Sequence, residues 1–238
     1  MRPEQTLNWM HRGTERLLAE VTELPDEALS APTALPGWTR AYLLSHIAAN
    51  ADALRNLVHW ARTGEERRMY ASTEAREADI AAGAELPPAD LRARVASTAA
   101  ELAADLDALD ALDGSADGPG WDAKIITAQG LTRLANEIPW MRAREIYIHS
   151  IDLAAGTTFA DLPPDFLAAL LDDVTVRRST VGGGPALLLA AIDTGGRWDV
   201  AGTGSPVPVT GLLADLTAYL TGRPAPSLPA APVLPPWL

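Results

Sequence analysis

The sequence predicts an α+β protein, with an antiparallel four-helix bundle over residues 1–158 and a smaller α+β domain over 159–238. Three observations carry that expectation. Four segments repeat apolar residues at helical spacing and are parted by turn signals rather than long linkers. Beyond about residue 160 the pattern changes to short strands between helices. Finally, 238 residues at 47% hydrophobic content can bury a core as one large domain or two modest ones. Four consecutive helices hide their apolar faces most simply by packing as a bundle.

The first helix runs from about Gln5 to Glu23, with Leu7, Met10, Leu17, Leu18 and Val21 on an interrupted apolar face before the Pro25 break. The second opens after LPGW with Thr39 as N-cap and continues through Leu43, Leu44, Ile47, Leu54 and Val58 to a stop at Gly64. A brief helix ending at Gly83 follows in STEAREADIAAGA. The third long helix spans Ala89 to about Leu112, where Leu91, Val95, Leu102, Leu106 and Leu109 alternate with charged residues. In AKIITAQGLTRLAN, Ile125, Ile126 and Gly130 suggest a hairpin or an irregular excursion. The fourth long helix opens near Asn136, accepts Pro139 in its first turn and extends to Gly156.

In the C-terminal part, Pro163 and Pro164 announce a helix over DLPPDFLAALLDDVTVRRS. GGGPALLLAAIDTGGRWDVAG reads as two strands joined through Thr194-Gly195-Gly196, and VTGLLADLTAYLTGR returns to helical spacing. The closing PAPSLPAAPVLPPWL has too many prolines for a helix or central strand and is expected to lie extended against the body.

Composition narrows the chemistry. With 19 basic and 31 acidic residues the net charge is −12, and a pI near 4.7 is the opposite of the basic field that nucleic acid requires. The absence of cysteine removes disulfides, thiolate metal ligands and a protein-borne thiol nucleophile, so any thiol chemistry needs a thiol from outside. No apolar run reaches the roughly 18 residues of a membrane span, and the N-terminus lacks the apolar core of a signal peptide, so a soluble cytoplasmic protein is expected. Gly182-Gly183-Gly184 is too little to constitute a nucleotide site.

The four histidines at 11, 46, 59 and 149 can be weighed singly. His149 follows Glu145 by four residues, which stacks the two side chains on one helical face about 40° apart. That is metal-ligand spacing, and it is equally the spacing of a surface ion pair worth a few tenths of a kcal/mol. His46 sits in the most apolar stretch of the second helix, where it is either a core histidine bonded to a nearby oxygen or a third ligand opposite Glu145 and His149. Two imidazoles and one carboxylate would leave zinc an open fourth position, the mark of a catalytic site. His59, thirteen residues after His46, faces elsewhere and is expected to be structural, and His11 is expected at a bundle edge. Asp52 and Asp152 are candidates to support the ligands.

The segments LPGWTRAYLLSHIAANADAL (35–54), HWARTGEERRMYASTEAREADI (59–80) and WMRAREIYIHSIDL (140–153) resemble the mycothiol-dependent maleylpyruvate isomerases, whose N-terminal part is a DinB-like bundle. The resemblance extends over most of the chain, including TAQG at 127–130 and the closing PPWL. PGW followed by histidine is shared with the wider DinB-like family, whereas MYASTEAR together with WMRxRE and histidine is narrower. The resemblance implies zinc held by His46, Glu145 and His149, the same three residues that spacing brings forward. It also implies functional roles for Arg76 and Arg223, which on their own read as a solvated charge and a helix C-terminal cation. GLTRLANEIP departs from the pattern, since Leu131 and Leu134 make the hairpin more apolar than the resemblance implies.

The activity that the resemblance implies is that of an isomerase turning maleylpyruvate into fumarylpyruvate in gentisate-type aromatic degradation. Mycothiol serves as thiol cosubstrate, by thiolate addition, bond rotation and elimination. The expected partners are a small diacid and mycothiol, with no nucleic acid and no membrane. Two other readings use the same residues: a zinc-dependent mycothiol S-transferase acting on electrophiles, and a non-catalytic ligand-binding module whose histidines are structural.

Overall fold

In the computed structural model, which describes residues 3–112 and 120–236, the chain divides between Gly156 and Thr157 into two units. The first contains α1 (Pro3–Glu23), α2 (Arg40–Thr63), α3 (Thr73–Ala84), α4 (Pro88–Asp110), a two-stranded hairpin of β1 (Lys124–Ile126) and β2 (Thr132–Leu134), and α5 (Ile138–Asp152). Helices α1, α2, α4 and α5 form the bundle. Its centre is α2, which packs against α3, α4 and α5, while α1 packs against α4 and α5.

Sequence chemistry sets the ends of α2. Thr39 Oγ1 accepts from the Tyr42 amide at 3.2 Å, and Gly64 closes the helix at φ 76°, a left-handed conformation that glycine adopts without steric cost. Enclosure by three helices explains why α2 buries residues almost all round, including the polar Ser45, His46 and Asn50. Leu17, Leu43, Leu44, Ile47, Leu91, Val95, Ile146 and Leu153 make one buried cluster of the core. Each fully buried leucine or isoleucine contributes about 1.5–3 kcal/mol against exposure.

Helix α3 approaches α2 closely because residue 83 is glycine: a Cβ there would lie 2.2 Å from Ser45 Oγ, which donates to the Ile80 carbonyl at 2.8 Å. Helix α5 starts at Ile138 with Pro139 in its first turn, after a 3-10 turn over Ala135–Glu137. It ends at Asp152, a full turn before the Gly156 stop expected from sequence. The backbone leaves the helical region at Ala154, which stands at φ 53°, and the Arg40 guanidinium donates to the carbonyls of Leu153 at 2.8 Å and Ala154 at 2.6 Å, acceptors a longer helix would have used.

The second unit contains α6 (Pro164–Val181), β3 (Pro185–Ala191), β4 (Arg197–Val200), β5 (Thr203–Gly211) and α7 (Leu213–Leu220). The sheet order is β4-β3-β5, with β3 antiparallel to β4 and parallel to β5. Leu187 and Leu189 of β3 are buried and Leu188 between them is exposed, as a period of two requires. Strand β5 is a third strand where the sequence pattern predicts two. Pro206 and Pro208 argue against a central strand, but β5 is an edge. Prolines two residues apart omit amides on the same side, so the outward side of an edge tolerates them. The proline-rich tail is tied to this unit, with Tyr219 donating to the Pro232 carbonyl at 2.6 Å and Arg178 to that of Pro235 at 3.2 Å. It is not extended throughout: two turns, closed by Leu228 N–H to the Ala225 carbonyl at 2.9 Å and Ala231 N–H to the Leu228 carbonyl at 3.1 Å, precede the irregular stretch at 232–236. Trp237 and Leu238 of the PPWL ending lie outside the described residues. No described helix is long and apolar enough to cross a membrane.

Candidate metal centre

Two helices supply the site. His46 comes from the first half of α2, and Glu145 and His149 come from successive turns of α5. Glu145 Oε2 lies 3.2 Å from His46 Nε2 and 3.2 Å from His149 Nε2, and one donor atom from each of the three residues lies within 4.8 Å of the others. The two imidazoles meet edge to face, with ring centroids 5.0 Å apart at 87°.

The surroundings orient these side chains. The buried Asp152 carboxylate pairs with His149 Nδ1 at 3.0 Å, which turns Nε2 toward Glu145 and fixes the ring as a ligand's outer partner does. Trp38 packs edge-on against His46 at 5.4 Å. Arg76 Nη2 lies 3.3 Å from His46 Nδ1, and its guanidinium sits 5.6 Å from the centre of the Tyr70 ring.

Electrostatics favour positive charge between the ligands. Burial would raise the Glu145 pKa, yet hydrogen bonds from His149 and His46 hold it well below the usual carboxylate range. Burial would lower that of His149, but Asp152 and Glu145 raise it to about 9. Burial dominates at His46 and moves it down, to the neutral imidazole. The cluster thus holds a proton where a divalent cation could take its place, and two imidazoles with one carboxylate are zinc-type donors.

Beside the cluster a cavity of about 290 Å³ is lined by His46, Asn50, Tyr70, Arg76, Gln129 and Glu145, among others. Arg76, which sequence alone reads as a solvated charge, therefore faces this cavity. Of the two candidate supporting carboxylates, Asp152 holds His149, whereas Asp52 faces Arg55 and Arg94 at 3.6 and 3.9 Å. His59 is half-buried, 3.5 Å from Glu65, and His11 is exposed on α1. Leu131 and Leu134 of the hairpin are 45% and 36% exposed, so their apolar character adds nothing to the core. Arg223 belongs to the second unit, just beyond α7, and its Nη1 donates to the Thr221 carbonyl at 2.7 Å. Sequence reasoning passed over Asn50 and Arg142, because an inward-facing asparagine or arginine on a helix has no spacing signature.

A family profile described as the mycothiol maleylpyruvate isomerase N-terminal domain matches residues 10–154. The structure is similar to that of a mycothiol-dependent maleylpyruvate isomerase, 35% identical, at a TM-score of 0.90 over 100% of this chain and 98% of that one. It is equally similar to a structure described as a histidine-to-alanine mutant of a mycothiol-dependent maleylpyruvate isomerase, 34% identical, at a TM-score of 0.90 and the same coverage. No curated protein matches the sequence.

Proposed function

The chain belongs to the mycothiol maleylpyruvate isomerase family, and on that premise we propose that it is a zinc- and mycothiol-dependent cis-trans isomerase converting maleylpyruvate to fumarylpyruvate. The observation that carries the reading is the convergence of His46, Glu145 and His149 beside a cavity that His46 and Glu145 line and that also presents Arg76. These three residues would hold the metal. Zinc bound there would supply a Lewis acid that lowers the pKa of a thiol reaching its open position.

The remaining work falls to the chain itself. Asp152 keeps the His149 ring turned toward the cluster, and Glu145 stays ionised at neutral pH. Arg76 only donates hydrogen bonds, so its contact with His46 Nδ1 suits the tautomer whose Nε2 carries the hydrogen toward Glu145. Were a metal held through Nε2, His46 would take the other tautomer, which would free the guanidinium for a substrate carboxylate in the cavity. Arg223 is assigned as the second arginine acting on the diacid. The zero cysteine count accords with a nucleophile brought by the cosubstrate: the thiol adds across the cis double bond, the bond turns while single, and elimination returns the thiol.

Elemental analysis of wild type and His149→Ala, with maleylpyruvate turnover measured with and without mycothiol, tests this. The expected result is one zinc per chain, absent from the variant, and thiol-dependent isomerisation without net thiol consumption. Stoichiometric thiol loss would favour an S-transferase instead, and a wild type without zinc would remove the metal centre. Arg223→Met is expected to keep its zinc while losing most turnover, and normal turnover would remove Arg223 from the reaction.

A further inference from the structure

Arg142 stands on α5 one turn before Glu145, is 1% exposed, and has no carboxylate within ion-pair distance among the described residues. Burying a guanidinium without a counter-charge is costly. Burial lowers its pKa to about 10, which still leaves it charged at neutral pH. Its Nη1 donates to the Ile47 carbonyl and to Asn50 Oδ1, each at 2.8 Å, while Nη2 has no partner.

Asn50 lies on α2 one turn after His46, is 6% exposed, and lines the cavity shared with His46, Arg76 and Glu145. A guanidinium can only donate, so the amide oxygen must face Arg142. The amide orientation is therefore fixed by chemistry, and the NH2 end points away from Arg142. That NH2 has no hydrogen-bond partner among the described residues, although the oxygen of the same amide is held firmly. A donor pair left open beside the metal cluster, backed by a buried cation that polarises it, is prepared for an acceptor that develops negative charge.

We infer that Asn50 is a catalytic residue, donating from Nδ2 to the substrate carbonyl oxygen that becomes an enolate, and that Arg142 is the positioning residue that holds this amide. The inference rests on the isomerase reading of the site. As the thiolate pair forms the C–S bond, the pair of the cis double bond moves onto the conjugated carbonyl oxygen. After rotation about the carbon–carbon single bond the pair returns, the trans double bond forms, and sulfur leaves with the C–S pair. The hydrogen bond strengthens only while the oxygen carries charge, so it acts on turnover rather than on substrate binding.

The test is Asn50→Asp, which keeps an oxygen for Arg142 and replaces the NH2 by a second oxygen. With zinc content equal to wild type, kcat is expected to fall by about 10²–10³-fold while KM for maleylpyruvate stays within about threefold. Asn50→Ala, a second route should the aspartate variant fail to fold, is expected to show the same split. Arg142→Lys is expected to lower kcat in the wild-type background and to add no further loss on top of Asn50→Ala. Three results would overturn the inference: kcat within about threefold of wild type, a raised KM at unchanged kcat, or zinc lost in step with activity. A zinc-loaded wild type that does not isomerise maleylpyruvate would overturn the isomerase reading itself, and this inference with it.

Discussion

Residues 157–236 bury three polar side chains, Thr175, Thr217 and Thr221, and each hydroxyl is satisfied by a carbonyl three or four residues earlier in the chain. Residues 3–156 bury His46, Asn50, Arg142 and Asp152 besides serines and threonines, and these reach across from α2 to α5 or back onto His149. The difference is one of cost. A threonine bonded to its own helix needs no partner elsewhere, whereas a buried charge loses several kcal/mol of hydration that fixed neighbours must offset. An interior that retains such groups is organised around chemistry, and one without them around packing.

The largest expected effect comes from breaking the packing unit. Phe166 is fully buried on α6, so Phe166→Ala is expected to cost about 3–5 kcal/mol of stability by denaturant titration. All three proposed metal donors lie in residues 3–156, so zinc stoichiometry is expected to survive, and its loss in parallel would end the contrast. Next is Asp152→Asn, which keeps the shape and removes the charge on His149: zinc affinity by chelator competition is expected to fall about 10–100-fold. Thr39→Ala removes the cap of α2 and is expected to cost about 1 kcal/mol, with no change in zinc content.

A last effect, confined to alkaline solution, concerns pH. Burial raises the Tyr219 pKa from 10 to about 12, against a small opposing influence of Arg178, while its hydroxyl donates to the Pro232 carbonyl. A folded-state pKa above the unfolded one stabilises fully below the unfolded value. That contribution is expected to fade as pH rises from 10 toward about 12. Tyr219→Phe is expected to flatten the pH dependence of thermal unfolding in this window.

The reach of the forces involved decides how much of the fold and site is legible in the sequence. Thr39, Gly64 and Pro139 act on the backbone within a turn, and the helix ends they set are readable. The end of α5 is not, because the carbonyls that follow it are satisfied by Arg40, more than a hundred residues away in sequence. Glu145 and His149 are readable as a pair because helical geometry alone stacks them, while the approach of His46 depends on how α2 meets α5. Arg142 sits between Met141 and Ala143 with nothing local to say that it points inward. Strand β5 is hidden by its prolines, whose tolerance depends on which edge of the sheet it occupies.

The bond pair from Arg40 to the end of α5 also acts as a register pin. A slip of one residue between α2 and α5 would move a ligand by about 1.5 Å along the axis and turn it about 100° away from its partners. Arg40 begins the helix that carries His46, and the carbonyls it grips directly follow the helix that carries Glu145 and His149. The folded chain therefore sets the alignment of the three donors through contacts that involve no ion. On the proposed reading of the site, the expected consequence is a metal that exchanges into and out of the folded chain.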